Sequence, residues 1–189
     1  MRSKQIKLSK GHITFVDAGR FNEVIQFKWY VMQSTNTFYA YRRVKLPCGR
    51  MTSQFLHQFL FPDFDMHDHK DGNGLNNTGK NIRAATHSQN SANRRKQSKP
   101  SSSRFKGVAW NKKRGLWVAS IAINKKSLYL GYYESEEDAA HVYDYAARIY
   151  FGEFARPNFP DSGAGHLHKS KPFQLQDALA EVLKSRANF

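Results

Sequence analysis

Asp68, His69, Asn81 and Asn90 are the residues whose types and spacing could do chemistry. Asp68 and Asn90 offer oxygen donors of the kind that hold a hard divalent cation while waters and a phosphate complete the shell. His69, next to such a cation, can take a proton from water near neutral pH. The cation would stabilise charge on a scissile phosphate and on the leaving 3′ oxygen. A Gly- and Asn-rich stretch such as HDHKDGNGLNN is by itself only a turn, and a surface His only a surface His. A calcium loop fails here, because the fifth position counted from Asp71 is Leu75. The joint spacing of all four residues carries the reading.

Such chemistry needs elements that bring the four together. A strand over 64–69, a hairpin partner over 81–85 and a helix over 87–96 (HSQNSANRRK) would make a ββα unit, with Thr86 as the helix N-cap. Asn73-Gly74 and the flanking Asn residues suit the long turn between the strands. Strand alternation aims Asp68 and His69 at opposite faces, so joint action requires the strand to end or bulge at Asp68.

Upstream, residues 5–61 read mostly as β. The runs HITFV (12–16), KWYVM (28–32) and FYAYRRVKL (38–46) are rich in β-branched and aromatic residues. The third ends at the turn signal Pro47-Cys48-Gly49. Within 51–61, Phe55, Leu56, Phe59 and Leu60 suit a short helix closed by Pro62. Residues 94–104 (RRKQSKPSSSR) are basic and Ser-rich and read as an exposed linker. Beyond it, RFKGVAWN, LWVASIAIN and SLYLGYY predict three strands, and EEDAAHVYDYAARIYFG a helix capped by Ser135. The predicted division is 1–96, a β-rich region plus the module that carries the ββα motif, 56–96; a linker, 97–103; a second domain, 104–160; and a tail, 161–189, with a short amphipathic helix around Leu175 to Lys184. No internal repeat is visible.

Composition narrows the partner. The 189 residues carry 30 Lys plus Arg against 15 Asp plus Glu, a formal net charge of +15. A polyanion follows, because each neutralised phosphate releases condensed counterions. Aromatic residues at 14% and hydrophobic residues at 40% argue against disorder. Cys48 is the only cysteine, which excludes an intramolecular disulfide and a Cys-rich zinc ribbon. No 18-residue apolar run and no signal-peptide core follow Met1. The expectation is a soluble intracellular protein without structural zinc, membrane contact or an evident protein partner.

The stretch from Leu56-His57 through Asn90, and above all DHKDGNGLNNTGKNIR, resembles the HNH endonuclease family in its phage and intron-encoded homing form. The resemblance implies that His69 is the general base, that Asp68 and Asn90 hold a divalent metal ion (magnesium or manganese), and that Asn81 orients the His69 imidazole. Ile82 replaces the family's Leu. Gln58 stands where an Arg often follows the upstream His, which removes a guanidinium that could hold phosphate. His57 and His67 are auxiliary candidates for metal or phosphate.

Residues 104–160 resemble an AP2 domain, a three-stranded antiparallel sheet packed on one helix, best known from plant transcription factors. The landmarks are Lys106-Gly107-Val108, Trp117-Val118-Ala119, Leu130-Gly131-Tyr132, Glu137-Ala139-Ala140, Tyr143-Asp144-Ala146-Ala147 and Asn158-Phe159. A twisted sheet of this kind fits the major groove. The groups expected at DNA are Arg94, Arg95 and Lys96 of the linker, then Arg104, Lys106, Trp110, Lys112, Lys113, Arg114, Trp117, Lys125, Lys126 and Tyr129. Trp117 reads equally well as core. Ala109, Ser120 and Ala122 occupy places where plant relatives often carry base-contacting Arg, so the plant target sequence does not transfer.

Together the two resemblances imply an α+β chain that works as a site-directed, homing-type endonuclease of phage or bacterial mobile elements. Its substrate would be double-stranded DNA, met in the bacterial host cytoplasm if phage-encoded. A single ββα site would nick one strand. The rival is a non-cleaving DNA-binding regulator with a degenerate nuclease domain, and a third reading is an RNA-binding factor.

Overall fold

The computed structural model describes residues 2–96 and 101–160. Most of the expected 97–103 linker and all of the 161–189 tail, with its predicted helix, lie outside the described residues. The chain divides into two compact units, Met1–Asn90 and Ser91–Phe189. Among the described residues the structure mixes four small antiparallel sheets with short helices. None of those helices is long and apolar enough to cross a membrane.

The first unit begins with a hairpin, β1 (Ser3–Lys7) and β2 (Ile13–Asp17), paired from Ser3↔Asp17 to Lys7↔Ile13. The basic N-terminal segment gave no strand signal, since only Ile6 of β1 is buried and β1 owes its order to its partner. After the one-turn helix α1 (Phe21–Val24) comes a three-stranded meander of β3 (Tyr30–Gln33), β4 (Phe38–Lys45) and β5 (Met51–Phe55), with β4 central. The helix expected within 51–61 is confined to α2 (Leu56–Leu60). Pro47-Cys48-Gly49 turns the chain straight back, so Met51–Phe55 pairs with Lys45–Tyr41 as a strand instead. Val16, Val24 and Leu56 are fully buried at the centre of this unit, and the Trp29 indole donates to Val24 O at 2.8 Å.

A second hairpin follows, β6 (His67–His69) with β7 (Ile82–Ala84), and then α3 (His87–Ala92). All three are shorter than the sequence suggests. Thr86 and Gln89 form a reciprocal cap at the helix start: Gln89 N donates to Thr86 Oγ1, and Thr86 N to Gln89 Oε1. At the other end, Lys106 Nζ donates to Ala92 O, the last carbonyl of the helix, and to Arg94 O beyond it.

The second unit is a sheet in the order β10-β9-β8, made of β8 (Val108–Asn111), β9 (Leu116–Ile123) and β10 (Lys126–Tyr133), with α4 (Glu136–Phe151) packed on one face. Ala119 and Ile121 meet Ala139, Ala140, Val142, Tyr143, Ala146 and Ala147 in a sealed core. Ser135 caps α4 by accepting from Asp138 N, and three acidic residues occupy the first turn, where the helix dipole favours them. Asp144, fully buried, accepts from Asn158 N, Asn158 Nδ2 and Phe159 N at 2.7 to 2.9 Å. Asn158 in turn accepts from Lys106 N and donates to Lys106 O, tying the chain after the helix to the start of β8.

Gly107 sits at φ +77°, and a Cβ there would lie 1.9 Å from the Tyr143 ring. Gly115 has a comparable φ of +63° but open space around it. Gly107→Ala should therefore destabilise the second unit by roughly 2–5 kcal/mol, left-handed strain plus overpacking. Gly115→Ala should cost only about 1–2 kcal/mol, from strain alone. Thermal melting of the two variants checks this, and equal losses would contradict the close approach at Tyr143.

Candidate active site and nucleic-acid surface

The β6–β7 register is regular: His67↔Ala84, Asp68↔Arg83, His69↔Ile82. The strand neither bulges nor stops at Asp68; it runs on through His69. Alternation therefore separates Asp68 from His67 and His69. Asp68 is only 3% exposed, and both Nε and Nη2 of its cross-strand neighbour Arg83 lie 2.8 Å from its Oδ2. The Asn90 amide reaches back from α3 and donates to His67 O at 3.4 Å, which holds the helix against the strand carrying Asp68.

On the other face three imidazoles meet. The His57 ring is 4.9 Å from His67 and 5.3 Å from His69, centre to centre. Tyr39 of β4 lies against both His57 and His69, and Phe55 stacks on His57. His67 Nε2 is 2.8 Å from Phe61 O; a carbonyl only accepts, so this nitrogen carries the proton.

His69, 7% exposed, has its Nε2 3.4 Å from Asn77 Oδ1. The Asn77 amide is fixed in orientation, because its Nδ2 donates to Thr14 Oγ1 and to Gly74 O. Oδ1 must accept, so His69 Nε2 is the donor and Nδ1 is the basic atom of the neutral ring. Asn77 is itself pinned by β2: Phe15 N donates to Leu75 O, and Asn77 N to Phe15 O.

Asn81 does something other than orient the imidazole. Its Oδ1 accepts from Asp71 N, and its Nδ2 donates to Asp71 Oδ1 and Asn76 O, bracing the loop between the strands. Asn77 takes the place beside the ring. Neither Asn77 nor Tyr39 was singled out from sequence. Asn77 was one of several loop asparagines, and Tyr39 lies a whole sheet away in the chain.

Burial pulls the His57 pKa from 6.5 down to about 3, helped by the charges of His69 and His67. Burial also lowers that of His69, outweighing the hydrogen bond it donates to Asn77 and the nearby Asp71 and Asp68 carboxylates. His57 and His69 are thus neutral at pH 7. Among the described residues no group of three or more His, Cys, Asp and Glu side chains is arranged to hold a metal ion. Asp68 and Asn90 offer two hard oxygens, a donor set that suits a cation keeping most of its water and phosphate ligands. The guanidinium already at Asp68 shows that this carboxylate takes a positive partner.

In the second unit the expected DNA contacts separate. Lys112, Lys113 and Arg114 occupy the β8–β9 turn, and Lys125 with Lys126 the β9–β10 turn, all exposed and at opposite ends of the sheet. The face away from α4 carries Ala109, Ser120 and Ala122, with Tyr129, 51% exposed, beside Ser120. Arg114 stacks over Tyr132 on that face. Small side chains there let a partner approach the backbone closely. Trp117 belongs instead to the helix-packed side, with Tyr133 as its cross-strand partner. Trp110, its partner on β8, lies at the rim and is 39% exposed. Lys106 turns inward to Ala92 O and Arg94 O, and burial with the Arg156 and Arg94 charges lowers its pKa to about 8. Arg104 pairs with Glu136 and Glu137 at the start of α4. Arg94, Arg95 and Lys96 are exposed.

Over 149 residues the chain is 34% identical to an uncharacterised HNH endonuclease, L560, of Acanthamoeba polyphaga mimivirus, covering 79% of this chain and 76% of the relative. The chain belongs to the HNH endonuclease family. This family member also matches the AP2 domain model over residues 103–153. It is 34% identical over 89 residues to Protein 3.8 of Escherichia phage T7, 47% of this chain and 72% of that protein. It is 36% identical over 87 residues to the ethylene-responsive transcription factor WRI1 of Arabidopsis thaliana, 46% of this chain and 20% of that protein.

The buried imidazoles make the fold sensitive to acid. A folded-state pKa below the unfolded value means that stability is fully present above about pH 6.5 and is lost as pH falls from there toward 3 for His57. His57→Gln should make the stability–pH slope shallower between pH 6.5 and 5, above most carboxylate titration. Denaturant titration at several pH values measures it; an unchanged slope would contradict a neutral, buried His57.

Proposed function

We propose that the chain is a site-directed DNA endonuclease of the homing type that hydrolyses one phosphodiester per active site, and so nicks. The reading rests on one observation: Asn90 is hydrogen bonded to the short strand that presents a buried carboxylate on one face and a neutral imidazole on the other. His69 Nδ1 takes a proton from the attacking water, while Asn77 keeps the opposite nitrogen protonated and the ring aligned. Asp68 and Asn90 would hold the divalent cation, magnesium or manganese. That ion would supply charge stabilisation at the phosphate and the leaving 3′ oxygen. The AP2 sheet provides register, its two lysine-bearing turns holding phosphates and the face around Ser120 and Tyr129 meeting base edges.

Two features favour the rival reading of a DNA-binding protein that does not cut. The strand neither ends nor bulges at Asp68, so Asp68 and His69 face opposite ways. Arg83 already matches the charge of Asp68 inside the fold, so metal uptake must displace or share that guanidinium. Conversion of supercoiled plasmid to open circles separates the two. The nuclease reading expects metal-dependent nicking, abolished by EDTA and lowered at least 100-fold in His69→Ala, roughly the contribution of a general base. Asp68→Ala should lose activity and metal dependence together. DNA retardation with no nicking in any metal would establish the rival, and wild-type cutting by His69→Ala would overturn the base.

A further inference from the structure

The first unit carries a cationic surface that neither the nuclease site nor the AP2 sheet uses. From Val24 to Pro62 the chain has no Asp or Glu, against five Lys and Arg. The β3–β4–β5 register sorts them. Ala40, almost wholly buried, marks the inner face of β4, so Tyr39, Tyr41, Arg43 and Lys45 share the outer one. Arg42 points the other way, stacked on Phe27 and Phe59 and bonded to Gln54, and is part of the scaffold.

Two further features mark this face as more than a solvated surface. First, β3 begins only at Tyr30, opposite Tyr41, so Arg42–Lys45 have a strand neighbour only on the β5 side. A groove of about 630 Å³ opens along this strand edge, lined by Phe27, Lys28 and Tyr30 across from the 41–45 segment, Arg42 and Val44 included. Among the described residues Arg43 and Lys45 pair with no carboxylate, and Lys28 lies over the Tyr30 ring. Second, Tyr39, the first residue of this row, is in ring contact with His69. The row therefore starts at the proposed base and runs outward along one strand. From Tyr39 to Lys45 it covers about 20 Å, at roughly 3.3 Å per residue. That is the axial length of about six nucleotides of a B-form strand.

We infer that this outer face of β4 is a second DNA-contact surface, which grips the phosphate backbone of the duplex leading away from the scissile phosphate at His69. Lys28, Arg43 and Lys45 neutralise phosphates, and Tyr30 and Tyr41 pack against the sugars. With no base-edge fork in the set, the contact positions the duplex without reading sequence. The inference rests on the endonuclease reading for its anchor at His69.

The test uses the full chain in EDTA, so that binding is read without cutting. Fluorescence anisotropy of a 30-base-pair duplex across a salt series compares wild type with the triple variant Lys28→Gln, Arg43→Gln, Lys45→Gln. A charge-matched control carries Arg2→Gln, Lys7→Gln and Lys10→Gln. The inference expects the slope of log K against log salt to become shallower by about 2–3 in the triple variant, near 0.9 for each phosphate no longer neutralised. The control should change it by less than about 1. Arg43→Glu alone should weaken binding at least tenfold, with an unchanged melting temperature showing that the fold survives. Equal slopes in the two triple variants would overturn the inference, as would self-association of the Lys28/Arg43/Lys45 variant with DNA affinity intact, which would make the charges guards of an open strand edge. Preference for structured RNA over the duplex would overturn it too. Failure of wild type to bind any duplex would sink the endonuclease reading along with it. Binding that follows these expectations in a protein that never nicks would leave the surface standing and remove only its catalytic anchor.

Discussion

The first unit turns on a three-residue strand buried on both faces. In β6 every side chain is committed by alternation: Asp68 to one side, His67 and His69 to the other. Each side then imposes its own electrostatic demand. A carboxylate out of water needs a positive partner, and Arg83 supplies it from directly across the hairpin. The His57 and His69 imidazoles, held out of water, lose their protons and are neutral at pH 7. On the proposed reading a base and a cation site would then lie on adjacent residues without the base competing for the cation.

The rest of the first unit serves that strand. The loop between β6 and β7 is long and rich in Asn, which alone would leave it mobile. It is held by side chain to backbone bonds from Asp71, Asn73 and Asn81, by the Asn76 amide donating to Asp71 Oδ2, and by pairing of its Leu75–Asn77 segment to Phe15 of β2. Thr14, also fully buried, binds both Leu75 O and Asn77 Nδ2. The N-terminal hairpin therefore reaches His69 in two steps, through Thr14 and then Asn77. β4 reaches it in one, through Tyr39.

Asp68, His69, Asn81 and Asn90 stood out by type and joint spacing, and the structure buries Asp68 and His69 on one strand to which Asn90 is hydrogen bonded. The AP2 sheet was legible from period-2 runs broken by KKRG and KK. What stayed hidden depends on tertiary pairing. β1 has a single buried side chain and exists through β2. The helical spacing of Phe55, Leu56, Phe59 and Leu60 did produce α2, while the strand over Met51–Phe55 comes from its pairing with Lys45–Tyr41. Asn77 and Asn81 look alike in sequence, and only the loop's path decides which faces the imidazole. Lys106 read as a DNA contact by charge, yet its ammonium caps the end of α3.

The division of β6 into a cation face and a proton face is most directly tested by manganese titration of the protein bound to duplex DNA, followed by electron paramagnetic resonance. The account predicts that Asp68→Asn abolishes the tight manganese signal and that His69→Ala leaves it unchanged. Loss of manganese in His69→Ala would make the imidazole a ligand and contradict the separation; retention in Asp68→Asn would place the cation elsewhere.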